Sequence, residues 1–133
     1  MAICKFCDIV KKKVSDYVVW ENRKFIAFLN IHPTNPGHCL LIPKKHVDYF
    51  FDMENKLYHG LFSTAKRLEK PLRNAMQAKR IGIYVVGFDV PHAHLHMVPL
   101  TGKGQMDNPM HYKTTPEELK KIQKKLASCL KTR

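Results

Sequence analysis

Three histidines stand at every second position in His92-Ala93-His94-Leu95-His96-Met97-Val98. Successive side chains of an extended strand point to opposite faces, so this run puts His92, His94 and His96 on one wall and turns Ala93, Leu95 and Met97 into the core. An imidazole titrates near neutrality, which gives such a wall three chemistries: a cation that binds phosphate, a neutral nucleophile, or a metal ligand. A solvated strand face ordinarily carries Thr, Val or Tyr, so strict alternation of three imidazoles argues for a working site. A second group with chemical potential is Cys4-Lys5-Phe6-Cys7, which has the short spacing of a zinc-binding pair but supplies only two of the four ligands such a site needs.

The elements that must hold these groups follow from periodicity. Tyr17–Trp20 and Phe25–Leu29 read as a hairpin about Glu21-Asn22-Arg23-Lys24. After the turn Pro33-Thr34-Asn35-Pro36-Gly37, the run His38-Cys39-Leu40-Leu41-Ile42 is apolar enough for a central strand, ended by Pro43. Leu57, Leu61, Ala65, Leu68, Leu72 and Met76 recur at helical spacing. A kink or break is expected at Pro71, whose ring deletes one hydrogen bond and crowds the Arg67 carbonyl. Ile81–Val86 returns to strand, Gly87-Phe88-Asp89-Val90-Pro91 bends, and the histidine strand runs on to Pro99. Residues 101–114 read as a mobile polar loop, and Thr115-Pro116-Glu117-Glu118 opens a C-terminal helix with Leu119, Ile122, Leu126 and Leu130 on one face. Strands in succession with one long helix define an α+β fold on a mainly antiparallel sheet: a single domain over 1–133 with its core in about 4–100.

At 133 residues the chain can bury a core without a disulfide framework. Its formal net charge of +12, from 23 Lys and Arg against 11 Asp and Glu, attracts phosphates at long range without naming one. The clusters Lys11-Lys12-Lys13, Lys44-Lys45 and Lys120 to Arg133 lack aromatic interleaving, which disfavours specific nucleic-acid binding. No apolar run has the length of a membrane span and the first residues lack a secretory pattern, so a cytoplasmic protein with reduced thiols and no membrane partner is expected. Cys39 and Cys129 sit in apolar-patterned segments and read as core residues.

Taken with Pro36-Gly37-His38 and the Cys-x-Phe-Cys start, the histidine run resembles the histidine triad (HIT) superfamily of nucleotide hydrolases and transferases, in its branch with an N-terminal Cys-x-x-Cys. The resemblance spans about residues 4 to 100, with its motifs in the family's order. It implies a HIT-like fold and a homodimer. It implies attack by the middle histidine, His94, on the α-phosphorus of a purine nucleotide, giving a nucleotidyl-histidine that water hydrolyses without a catalytic metal. By the same resemblance His38 and His96 stand beside the α-phosphate, Phe6, Ile9, Phe28 and Ile31 form an apolar nucleoside cleft, and Asn30 meets the ribose hydroxyls. A structural zinc ion is implied at Cys4, Cys7, His46 and His92, four protein ligands that leave no position for activated water. A neutral nucleophile needs its other ring nitrogen held as a donor, so a backbone carbonyl in the bend or strand is expected against His94.

The bend before the triad departs from the family, where Gly-Gln-Ser or Gly-Gln-Thr is common; this chain has Gly87-Phe88-Asp89. Phe88 donates no hydrogen bond, and an inward Asp89 carboxylate would repel phosphate. Asp89 either caps the turn, the reading favoured by the frequency of Asp in turns, or meets a cationic amine leaving group. The activity expected is hydrolysis of purine nucleoside 5′-phosphoramidates, with dinucleoside polyphosphate cleavage and nucleotidyl transfer as alternatives within the family. A single catalytic zinc on His92, His94 and His96 is sterically awkward, because same-face neighbours on a strand lie roughly 6.6 to 6.8 Å apart at the backbone. A basic, zinc-stabilised nucleic-acid module without turnover is the remaining class, and steep salt dependence would mark it.

Overall fold

The computed structural model describes residues 4–12, 17–107 and 112–131. Among them, five strands form one sheet: β1 (Val18–Glu21), β2 (Phe25–Leu29), β3 (Cys39–Pro43), β4 (Arg80–Tyr84) and β5 (Leu95–Leu100). Their order is β1-β2-β3-β5-β4, antiparallel at every pairing. Three α-helices, α1 (Lys5–Val10), α2 (Asn55–Ala75) and α3 (Pro116–Leu130), and a 3-10 turn at Phe50–Asp52 complete the described chain. This is the α+β, HIT-like architecture that the periodicity and the resemblance led us to expect.

Strands β2 and β3 are buried at every position because both faces of the sheet are covered there. Phe25, Ala27 and Leu29 of β2, Cys39 and Leu41 of β3, and Leu95 and Met97 of β5 share one cluster with the buried faces of α2 and α3. The alternate residues Ile26, Phe28, Leu40 and Ile42 join Phe6 and Ile9 of α1 on the other face. Period-two alternation thus sends one set of side chains to the long helices and leaves the opposite face for a site. Helix α2 buries Leu61, Thr64, Ala65, Leu68 and Leu72, and α3 buries Leu119, Leu126 and Leu130. Each fully buried leucine contributes roughly 1.5 to 3 kcal/mol. The Thr115 hydroxyl accepts the Glu118 N–H at 3.1 Å and Pro116 occupies the first turn of α3, so that helix starts where its capping pattern predicts.

Several expectations are corrected. Helix α2 runs through Pro71 without a break. Pro71 lies near its C-terminal end, with buried Leu68 and Leu72 anchoring the chain on either side. The histidine run is strand only from Leu95 onward. The His92 N–H turns back to the Val90 carbonyl at 2.8 Å and the Ala93 N–H bonds the Val47 carbonyl, so His92 leaves the shared wall while Ala93, Leu95 and Met97 still reach the core. Cys39 is buried, its thiol pushed up to about 12 by that burial, whereas Cys129 is only half-buried. In the polar loop, Gln105 accepts from the Thr101 N–H at 2.8 Å and from Asn35 Nδ2 at 3.3 Å, tying residues 101–107 to the 33–37 turn. The remainder of that loop, 108–111, lies outside the described residues.

Candidate active site and metal cluster

His96 sits on the sheet face away from α2 and α3, paired with Leu40 on β3 and with Tyr84 on β4. His38 enters directly before β3, after a turn in which Gly37 takes φ of +87°, a conformation glycine adopts without steric cost. The His94 ring lies 5.2 Å from that of His96, and His38 lies 5.1 Å from His96, centroid to centroid.

Hydrogen-bond polarity assigns the ring protons. The Thr34 backbone N–H donates to His38 Nδ1 at 3.0 Å, so His38 carries its proton on Nε2. That proton is donated to His96 Nδ1 at 2.9 Å, which leaves His96 protonated on Nε2. His94 has the opposite tautomer. Its Nδ1 lies 2.7 Å from the His92 carbonyl, which can only accept, so Nδ1 carries the proton and Nε2 keeps a lone pair. The carbonyl partner expected for His94 is thus the one two residues upstream. Burial pulls His38 down to about 4. Burial, then the charges of His38 and His94, pull His96 down to about 3. Both rings are therefore neutral at pH 7, so His96 offers the cavity an N–H donor rather than a cation, while His38, its one N–H given to His96, stands behind it.

A cavity of about 460 Å³ opens over this cluster, within the range of small-ligand sites. Phe6, Phe28, Asn30, Ile31, Asp89, His94 and His96 line it, as do Lys5, Leu40, Tyr84 and Phe88. Ile9 does not line it: one turn of α1 beyond Phe6, it is buried beneath the wall with Ile26 and Ile42. Asn30 Oδ1 accepts the His32 N–H at 2.9 Å, and Nδ2 stands 3.5 Å from His38 Nε2, two donors facing each other. Phe88 projects at the rim, 92% exposed. Asp89 is exposed, lines the cavity and makes no turn-capping bond among the described residues, contrary to the favoured reading of its role. Tyr84 was not anticipated, because its place beside His96 depends on the β4–β5 register; the only trace in sequence is its alternation with Ile81 and Ile83.

Beside this site, Cys4 caps α1, its Sγ accepting the Cys7 N–H at 3.3 Å. Cys4 Sγ lies 3.4 Å from His92 Nδ1, and Cys7 Sγ lies 3.2 Å from His46 Nδ1 and 3.5 Å from His92 Nδ1. The two imidazole nitrogens are 3.2 Å apart, and all four donor atoms fall within 4.8 Å of one another. A tetrahedral zinc ion at roughly 2.3 Å from sulfur and 2.0 to 2.1 Å from nitrogen sets S···N edges of about 3.5 Å and N···N edges of about 3.3 Å, so this donor set fits the ion. His92 Nε2 donates to the Pro43 carbonyl at 2.8 Å, which turns the Nδ1 lone pair to the cluster. Burial holds His92 below its ordinary value, against the opposing pull of that Pro43 bond, and keeps the ring neutral as a ligand must be.

Fold and site together define a small α+β domain with a neutral histidine cluster in the wall of a ligand-sized cavity and a Cys/His metal-type cluster next to it. The chain belongs to the histidine triad family, the HIT domain matching residues 11–103. It is 36% identical over 108 residues to an uncharacterized HIT-like protein of Mycoplasma genitalium, covering 76% of this chain and 77% of that one. It is 32% identical over 102 residues to the adenosine 5′-monophosphoramidase HNT1 of Saccharomyces cerevisiae, covering 74% of this chain and 63% of the yeast protein. The fold superposes on a zinc-bound histidine triad family protein from Mycobacterium smegmatis with a TM-score of 0.81 and 26% identity, over 96% of this chain and 92% of the other.

Proposed function

We propose that the protein hydrolyses purine nucleoside 5′-phosphoramidates through a nucleotidyl-histidine at His94. The observation that carries this reading is the pair of opposed tautomers at one cavity wall: a lone pair on His94 Nε2 beside an N–H donor on His96. His94 Nε2 attacks the α-phosphorus, the P–N bond to the amine breaks, and the amine leaves with a proton from solvent. The imidazolium formed keeps its Nδ1–H on the His92 carbonyl, which accepts more strongly as the ring becomes charged. Charge on the phosphoryl oxygens meets the fixed His96 donor, backed by His38. Water then attacks phosphorus, His94 leaves as the neutral imidazole, and the nucleoside monophosphate is released.

Phe6, Phe28, Leu40 and Ile31 supply an apolar end suited to a flat base, next to Asn30 for the ribose. Although the chain carries 23 Lys and Arg, Lys5 is the only one among the described residues on the cavity wall, which Asp89 also lines. That balance favours an amine leaving group over an oligophosphate. Cys4, Cys7, His46 and His92 would hold zinc in a structural role, tying α1 to the segment that enters β5. The reading includes a cytoplasmic homodimer. The pairing of two copies is supported by β4, an edge strand with Ile83 46% exposed and Val86 beyond it.

The test is an adenosine phosphoramidate labelled at phosphorus, quenched during turnover and examined for acid-labile label on the protein. His94→Ala should remove both label and amine release, and His96→Ala should lower kcat by about 10²- to 10³-fold, as for loss of one oxyanion donor. Undiminished turnover by His94→Ala would overturn the proposal, and faster cleavage of dinucleoside polyphosphates would replace the substrate class.

A further inference from the structure

Tyr84 is the last residue of β4 and pairs across the sheet with His96. The two rings are stacked, centroids 4.0 Å apart and planes 9° from parallel. The same phenol ring meets His38 nearly edge-on at 6.3 Å. The Thr34 backbone N–H sets the tautomer of His38, and His38 in turn donates to His96 Nδ1 on the far side of the stack.

The two kinds of contact on His96 constrain different motions. The bond from His38 to Nδ1 places one ring atom but leaves the imidazole free to rock about that bond. A parallel aromatic ring removes the rocking, because any tilt trades stacked contact for open cavity. Without the stack the ring can also flip and present the other nitrogen. An aromatic residue directly opposite on the neighbouring strand is the shortest route to that constraint.

We propose that Tyr84 is a positioning residue that locks the plane and tautomer of His96 and thereby aims its Nε2–H into the cavity. Its effect on turnover rests on the phosphoramidase reading, whereas the state of His96 is measurable without substrate. Tyr84→Phe keeps the stack while removing the phenol hydroxyl. Tyr84→Leu removes the stack.

The experiment reads ring 15N shifts of His96 in the free protein alongside steady-state kinetics on an adenosine phosphoramidate. Wild type and Tyr84→Phe should show one tautomer, protonated on Nε2, and Tyr84→Leu a mixture. Tyr84→Leu should lose up to about 100-fold in kcat with KM little changed, the scale of a misplaced catalytic group, and Tyr84→Phe should restore most of it. A single Nε2–H tautomer and unchanged kcat in Tyr84→Leu would overturn the positioning role while leaving the hydrolase reading intact. The expected 15N changes with no turnover even by wild type would do the reverse. If Tyr84→Leu lowered only thermal stability, with tautomer and kcat retained, the residue would be structural and the proposal wrong.

Discussion

Protonating His38 should cost the folded protein about 2 kcal/mol by pH 5. The ring is 1% exposed, with Nδ1 accepting from the Thr34 N–H and Nε2 donating to His96. A second proton could enter only at Nδ1, facing the Thr34 N–H with no solvent to spread the charge. Burial accordingly holds the group at about 4, against an ordinary 6.5. Because the folded value is the lower one, the unfolded chain binds more protons between the two, and stability rises with pH across that window. The contribution is complete above about 6.5, shrinks as pH falls, and is exhausted below about 4, where roughly 3 kcal/mol has gone. Carboxylates titrate in the same range, so the assay is a difference: urea unfolding of wild type and His38→Gln at pH 7.5 and pH 5. Wild type should lose about 2 kcal/mol more than the variant. That figure is a lower bound, because repulsion from His38 helps to depress His96 and is relieved in the variant. Equal losses would mean that His38 titrates in the fold as it does in water, and the neutral relay from Thr34 to His96 would fall with it.

Three further outcomes are expected. Chelation, or His46→Ala, should lower Tm by roughly 6 to 10 °C for a 2 kcal/mol loss while single-turnover chemistry in the remaining folded protein persists; chemistry lost in proportion to metal would contradict a structural role. Asp89→Ser should slow phosphoramidates with ammonium-bearing leaving groups, by about five-fold at most for an exposed charge pair, and leave neutral esters unaffected; equal slowing of both would remove the cation contact. Gly37→Ala should destabilise by roughly 1 to 2 kcal/mol, because φ is +87° there and the new Cβ would come within 2.7 Å of Met76 Cγ; urea unfolding unchanged from wild type would show that the turn adapts.

Period-two and period-3.6 patterns made the strands and the two long helices readable, since each pattern records which side of an element is dry. Helix α1 was not readable, being six residues long and capped by Cys4, a residue whose interest lay in its thiol. Ile9, which the family resemblance puts in the cleft, lies under it because it falls one turn of this helix beyond Phe6. Cys7, His46 and His92 come together as expected from the family resemblance, although 85 residues separate Cys7 from His92. Tyr84 is the opposite case: its residue type suggests nothing, and only strand register brings it onto His96.

The alternation of the histidine run predicted one wall, and the chain instead divides the three rings because the backbone changes state within four residues. His96 lies inside the β5 ladder, where its own backbone is paired, so its ring finds a side-chain partner on the next strand's approach, His38. His94 lies just before the ladder begins, where the chain is bent enough for its ring to reach back to the His92 carbonyl. A donor partner for one ring and an acceptor partner for the other yield opposite tautomers from the same residue type, two positions apart. His92 then joins the two sites through separate atoms. Its ring nitrogens serve the Cys/His cluster and the Pro43 carbonyl, while its own carbonyl orients His94. The acceptor that orients His94 thus belongs to a residue of the Cys/His cluster, yet the backbone turn from the His92 N–H to the Val90 carbonyl holds it independently of the ring, so an ion lost from the cluster should cost stability before it costs chemistry.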